Sequence, residues 1–190
     1  MSKIVIIAGS PNPGSRLNGI LEYAEKVWKE KGFGIETVRV AELPASALLH
    51  ADFKNAELLR AIASVEEADG VVIAGPVYKA SYSGLLKSFL DVLPQSGLQG
   101  KISLPLFIGG TIAHLLSVEY ALKPVISALG GRHVLAGVYA VDQWVEKLEN
   151  GGFQLTEELK NRLDRAADEF AEELSWAEYR KKNREQAGIA

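Results

Sequence analysis

The chain reads as a single α/β domain, a three-layer sandwich on a five-stranded parallel sheet in the order 2-1-3-4-5. Two observations predict it. Short β-branched runs alternate strictly with amphipathic helical stretches, and the first run, Lys3 to Gly9 (K-I-V-I-I-A-G), is apolar from Ile4 to Ala8. A strand apolar on both faces suits the interior of a parallel sheet, and strict alternation implies right-handed crossovers that place helices on both sides. The length of 190 residues and the apolar content of 47% match one domain with a well-buried core. That domain is expected over residues 1–178, with 179–190 as a polar, frayed tail.

The elements follow in order. After the first strand, Leu17 to Lys31 spaces Leu17, Ile20, Leu21, Ala24, Val27 and Trp28 as one helical face and ends before Gly32. Ile35 to Val40 is a second strand, and Asn55 to Ala68 a second helix with Leu58, Leu59, Ile62 and Val65 on one side. Gly70 to Gly75 is a third strand, Gly84 to Leu93 a third helix, Ile102 to Gly109 a fourth strand, and His133 to Val141 a fifth. Between the last two, Ile112 to Leu129 is helical but contains Pro124, which cannot donate to the carbonyl of Tyr120; a kink or a π-bulge is expected there, turning Tyr120 out of the regular stripe. Thr156, followed by Glu157 and Glu158, caps an amphipathic closing helix. Leu43 to Phe53 is a long connection whose Leu48, Leu49 and Phe53 would be exposed unless they joined helix three in a subunit contact.

Composition removes several function classes. The net charge of -3, with no concentration of basic residues, argues against nucleic acid. No cysteine is present, so disulfides, thiolate catalysis and cysteine-held metals are excluded, and redox chemistry requires a bound cofactor. The apolar N-terminal run is too short for a signal peptide or a membrane span, and a cytoplasmic location is expected. His50, His114 and His133 are scattered and lack spaced carboxylate or serine partners, so no hydrolytic triad and no metal site is expected.

In doubly wound sheets ligands bind beyond the carboxyl ends of the strands where strand order reverses. The loop after strand one, Gly9 to Asn18 (G-S-P-N-P-G-S-R-L-N), runs straight into a helix. Ser10 and Ser15 hydroxyls, the amides around Leu17 and Asn18, and the Arg16 guanidinium can converge there on a phosphate, although the loop is neither a Walker loop nor a dinucleotide fingerprint. A plain cap with Ser15 as the N-cap residue suits the same sequence. The loop after strand three, G-P-V-Y-K-A-S-Y-S-G, offers Pro76, Val77 and Tyr78 as a flat apolar wall for a flavin ring and Lys79 for an anionic group; a surface turn with packed tyrosines is the plainer alternative. After strand four, Gly109 and Gly110 let backbone approach a planar ligand, with Thr111 as the next residue and also a candidate cap.

These loops resemble the NADPH-dependent FMN reductase family, which is flavodoxin-like, and most closely the flavin reductases that accompany alkanesulfonate monooxygenases. The resemblance rests on A-G-S-P at Ala8 to Pro11 with Ser15 and Arg16, P-V-Y-K-A at Pro76 to Ala80, Y-S-G-x-L-K at Tyr82 to Lys87 with Asp91, L-Q-G-K at Leu98 to Lys101, and G-G-T-x-A-H-L-L with Y-A-L-K-P at Tyr120 to Pro124. One departure is Asn12, which stands where the family usually carries a basic residue and leaves Arg16 as the main cation. The resemblance implies FMN at the switch point, NADPH as hydride donor, a homodimer or homotetramer, and a flavin-dependent alkanesulfonate monooxygenase as recipient of reduced flavin. No catalytic acid or base is expected. An FMN-bound quinone, azo or chromate reductase and a flavodoxin-type electron carrier are the alternative readings.

Overall fold

The computed structural model describes residues 2–149 and 151–186. β1 (Lys3–Ala8) lies between β2 (Gly34–Arg39) and β3 (Gly70–Tyr78), parallel to both. β3 folds back into the two-residue β4 (Ser81–Tyr82) and pairs on its other side with β5 (Ile102–Gly109), and β6 (His133–Val134) and β7 (Val138–Val141) continue the sheet beyond β5. The expected order 2-1-3-4-5 is thus present, with the fifth strand in two pieces.

The period of two along each strand builds the layers. Ile4, Ile6, Val72, Ala74 and Leu104 face α1 (Leu17–Glu30) and α6 (Glu157–Gln186), while Val5, Ile7, Val71, Ile73 and Phe107 face α3 (Ala56–Glu67), α4 (Gly84–Leu90) and α5 (Lys123–Ala128). On the first face Trp28 is fully buried, meets Phe170 edge-on with ring centroids 5.5 Å apart, and donates its indole N–H to Ala167 O at 3.3 Å. That aromatic pair fastens α1 to α6.

Four sequence expectations need correction. The fifth strand is not continuous from His133 to Val141. Register runs from Ser103↔Val134 to Leu106↔Val138, one residue more on this strand than on β5, opposite Pro105, which has no N–H for the ladder; Gly137 absorbs the bulge at φ +74. The fourth helix, expected from Ile112 with a distortion at Pro124, begins its regular α-helical run only at Lys123. A 3-10 turn (Ile112–His114) and a π-turn (Val118–Leu122) precede α5, and Lys123 N–H reaches back five residues to Val118 O. Of the two distortions that Pro124 allows, the chain adopts the π-widened one, and Tyr120 is turned outward, 79% exposed.

The connection Leu43 to Phe53 contains a short helix, α2 (Ala45–Leu49), and Leu48 is buried in its own core, as are Leu86, Phe89 and Leu90 of helix three; Leu49 and Phe53 stay exposed. The closing helix does not fray at Tyr179 but continues to Gln186, and the end of the expected tail, 187–190, lies outside the described residues. An antiparallel hairpin, β8 (Val145–Lys147) with β9 (Phe153–Leu155), also joins the fifth strand to α6.

The switch point between β1 and β3 is closed by one side chain. Ser83, buried, donates its hydroxyl to Gly9 O at 2.6 Å and accepts Leu86 N–H at 3.1 Å as the N-cap of α4. Ser83→Ala strips a buried carbonyl of its donor and a helix of its cap, and is expected to lower stability by about 2 kcal/mol, measured as a fall in the denaturant midpoint at unchanged slope.

Candidate functional site

β1, β3 and β5 are neighbours, so their carboxyl ends bring the three singled-out loops side by side. The first loop is tightly self-bonded. Asn12 Oδ1 accepts Gly14 N–H at 2.8 Å, Ser15 N–H donates to Asn12 O at 3.1 Å, and Ser10 Oγ lies 3.4 Å from Asn12 N. The amides of Leu17 and Asn18 are taken up locally, by Ser15 Oγ at 3.2 Å and Ser15 O at 3.0 Å, and the Leu17 side chain is buried in the core. Among the described residues the amides of Ser10 and Arg16 have no hydrogen-bond partner. Arg16 is half-buried and its Nε donates to Val145 O at 2.8 Å. Asn18 donates to Pro13 O at 2.6 Å and accepts from Arg39 Nη1 at 3.3 Å. The loop from Gly9 to Asn18 carries no acid, and a phosphate dianion suits its hydroxyls, open amides and cations.

Pro76, Val77 and Tyr78 belong to β3 itself, which runs three residues past Gly75 before turning. Pro76 is buried, Val77 half-buried and Tyr78 half-exposed, a graded apolar edge. Lys79 and Ala80 form the turn at φ +50 and +62, two consecutive non-glycine residues in the left-handed region. A two-residue hairpin needs that conformation to match the strand twist, and each such residue costs about 1 kcal/mol or more. The strain sits at the mouth of the site, where strained backbone tends to cluster.

The third loop is held from below by a residue the sequence did not single out. Tyr139, on β7, donates its hydroxyl to Thr111 O at 2.8 Å, and a Cβ on Gly109 would collide with that hydroxyl. Gly109 is therefore required by close approach, quite apart from any ligand. Because C=O and N–H of one peptide point in opposite directions, engagement of Thr111 O by Tyr139 turns the Ile112 N–H to the other side. Among the described residues the Gly110, Thr111 and Ile112 amides have no partner, a set of donors suited to the pyrimidine edge of a flavin. Burial, with Asp142 adding to it, pushes the Tyr139 hydroxyl above its ordinary value of 10.0, so it remains a donor through neutral and mildly alkaline pH.

No group of three or more histidine, aspartate or glutamate side chains among the described residues could hold a metal. His50 is exposed, His114 lies in the 3-10 turn, and His133 faces Glu173 at 3.6 Å. A hollow of about 800 Å³ between Phe33 and Trp176 opens at the opposite, amino-terminal end of the strands, away from all three loops. No helix among the described residues is long and apolar enough to cross a membrane.

Comparison with known proteins decides the family. The model for "NADPH-dependent FMN reductase" matches residues 2–146. The chain belongs to the NADPH-dependent FMN reductase family. An FMN reductase (NADPH) of Escherichia coli (strain K12) is 43% identical over 174 residues, which cover 90% of each chain. The NADH-dependent FMN reductase SfnF of Pseudomonas putida is 30% identical over 142 residues, 73% of this chain and 76% of SfnF. Among solved structures, the apo form of the NADH:FMN oxidoreductase EmoB superposes with a TM-score of 0.80 at 38% identity, covering 90% of this chain and 88% of that one. As a member of this FMN reductase family the chain is a flavodoxin-like oxidoreductase that works with FMN and NADPH.

Besides Tyr139, sequence reading passed over Ser83, Arg39 and Lys147, whose Nζ lies 3.7 Å from where a Cβ on Gly14 would be. Ser83 had a signal, a serine directly before a helical run. Lys147 had a weaker one, the Gly151–Gly152 pair between two short apolar alternations. Tyr139 had none, because its role depends on β7 pairing with β5. Replacing Tyr139 by Phe frees the Thr111 carbonyl and is expected to weaken FMN and riboflavin alike by about fivefold, the worth of one hydrogen bond of about 1 kcal/mol. Fluorescence titration of both flavins measures it.

Proposed function

We propose that the protein reduces FMN as a diffusible substrate with NADPH, in the cytoplasm, and passes the reduced flavin to a separate flavin-dependent monooxygenase of the alkanesulfonate-cleaving type. The observation that carries this reading is the switch point itself, where an acid-free phosphate loop, an apolar β3 edge and a glycine loop with open amides adjoin. When bound, FMN accepts hydride from the nicotinamide at its reactive ring nitrogen. The chain's part is orientation: the Gly9 to Asn18 loop holds the phosphate, Pro76 to Tyr78 supports the ring, and the Gly110, Thr111 and Ile112 amides bond its polar edge. None of the three loops contains a histidine or a carboxylate; the carboxylate beside them is that of Asp142, whose Oδ2 lies 3.8 Å from where a Cβ on Gly110 would be. The open, half-exposed wall at Tyr78 favours a flavin that comes and goes.

The purified protein is expected to be colourless and to oxidise NADPH in proportion to added free FMN. A yellow protein that turns over with a quinone or azo acceptor and no added flavin would overturn the substrate reading in favour of a resident FMN.

The same reading includes assembly into a homodimer or homotetramer. Ile112, Leu115, Leu116 and Tyr120 leave a cluster of apolar surface directly after the third loop, and Leu49 and Phe53 are exposed as well. A lone domain rarely keeps such a patch uncovered. Tyr120→Ala should lower the oligomeric state, measured by sedimentation at micromolar concentration, and should change the rate of flavin reduction; a variant that keeps both would refute the coupling of the π-turn to assembly.

A further inference from the structure

The phosphate loop lacks a cation where the family usually carries one, and the structure supplies another from outside the loop. Asn12 occupies that position and spends its side chain locally, accepting the Gly14 N–H. Arg16 is partly committed too, its Nε bonded to Val145 O at 2.8 Å. That bond lands on β8, and β8 carries Lys147 two residues further on.

Alternation along a strand puts Val145 and Lys147 on one side. Val145 is buried against the first turn of α1, its Cγ1 3.2 Å from where a Cβ on Gly19 would be. Lys147 accordingly extends over the loop that precedes α1, and its Nζ lies 3.7 Å from the position a Cβ would take on Gly14. Among the described residues it forms no ion pair.

The hairpin that carries it is well anchored. Arg162 stacks over Trp144 at 4.9 Å from the ring centroid, Thr156 N–H donates to Trp144 O at 3.0 Å, and Gly19 leaves room for Phe153, whose Cβ lies only 2.6 Å from where a Cβ on Gly19 would be. An ammonium on an anchored strand, unpaired and beside the glycine turn of a phosphate loop, is placed to bind a dianion.

We propose that Lys147 is the residue with which this chain replaces the missing basic residue at position 12, and that it sets the preference for a phosphorylated flavin over riboflavin. The proposal rests on the reading of Gly9 to Asn18 as the flavin phosphate loop. It requires that the loop accept FMN with Lys147 from above and the Ser10 and Arg16 amides from within. Lys147 touches no reacting atom, so it governs affinity and not the chemical step.

Binding of FMN and of riboflavin to Lys147→Gln, to Arg16→Ala and to the double variant Asn12→Arg with Lys147→Gln, followed by flavin fluorescence at low and high salt, tests it. Lys147→Gln should weaken FMN about tenfold, leave riboflavin unchanged, and show a smaller loss of FMN affinity with added salt. Arginine at position 12 should restore FMN binding in the double variant. If Lys147→Gln leaves FMN unaffected while Arg16→Ala lowers FMN selectively, the role of Lys147 is overturned and the phosphate loop stands. Equal losses of both flavins in Lys147→Gln overturn it as well, since the hairpin would then act through shape. If neither Lys147→Gln nor Arg16→Ala changes the ratio of FMN to riboflavin affinity, the phosphate-loop reading falls with it.

Discussion

The Ser83 hydroxyl, enclosed between β1 and α4, donates to the carbonyl of Gly9 and accepts the Leu86 amide, and the geometry of the site depends on that junction. Beyond Gly9 the chain leaves the sheet, so its carbonyl has no strand partner and would be buried without a donor. Ser83 provides one from the segment that follows β3, which ties the first loop to the second across the switch point. Gly9 belongs to the same constraint, because a Cβ there would lie 2.5 Å from Leu86 Cβ. The helix packs onto the strand end only where there is no side chain. The Gly9 to Asn18 loop and the apolar edge of β3 are consequently positioned by the core and need no ligand to bring them together.

Two prolines shape the remainder of the site by withholding an N–H. Pro105 interrupts the ladder between β5 and the fifth strand, and the extra residue accommodated at Leu135 to Gly137 sets where β7 resumes, and so where Tyr139 stands. Tyr139 then reaches Thr111 O beneath the glycine loop. Pro124 releases the carbonyl of Tyr120 and the preceding turn widens, which points Tyr120 into solvent beside the exposed Leu115 and Leu116. Backbone defects on neighbouring elements thus determine one donor surface and one exposed aromatic.

The hairpin Tyr78 to Ser81 adds a strained element to this rigid frame. Its left-handed Lys79 and Ala80 are held by β3–β4 pairing and by packing of Tyr82 on the core. The tightest turn in the site therefore lies beside its most open edge. Lys147 reaches the Gly9 to Asn18 loop on a separate hairpin packed on α1, so that loop and the β3 edge are flanked by independent pieces of structure.

Sequence alone determined the layers, the strand order and the three loops, because these follow from local periodicity: Ile4 to Ala8 is apolar on both faces, and Leu17 to Trp28 recurs every three or four residues. It also determined that Pro124 must distort its helix, since a missing N–H is a property of the residue. Tertiary structure decided what pairing and packing between distant segments control. The break in the fifth strand depends on Pro105, about thirty residues earlier in the chain. Leu48 is buried because α2 docks on the core, and the Leu17 and Asn18 amides are used up by Ser15. The partners of Ser83, Arg16 and Tyr139 lie 74, 129 and 28 residues away along the chain, and Gly14, which Lys147 approaches, lies 133 residues before it, beyond the reach of any window in which composition or spacing carries a signal.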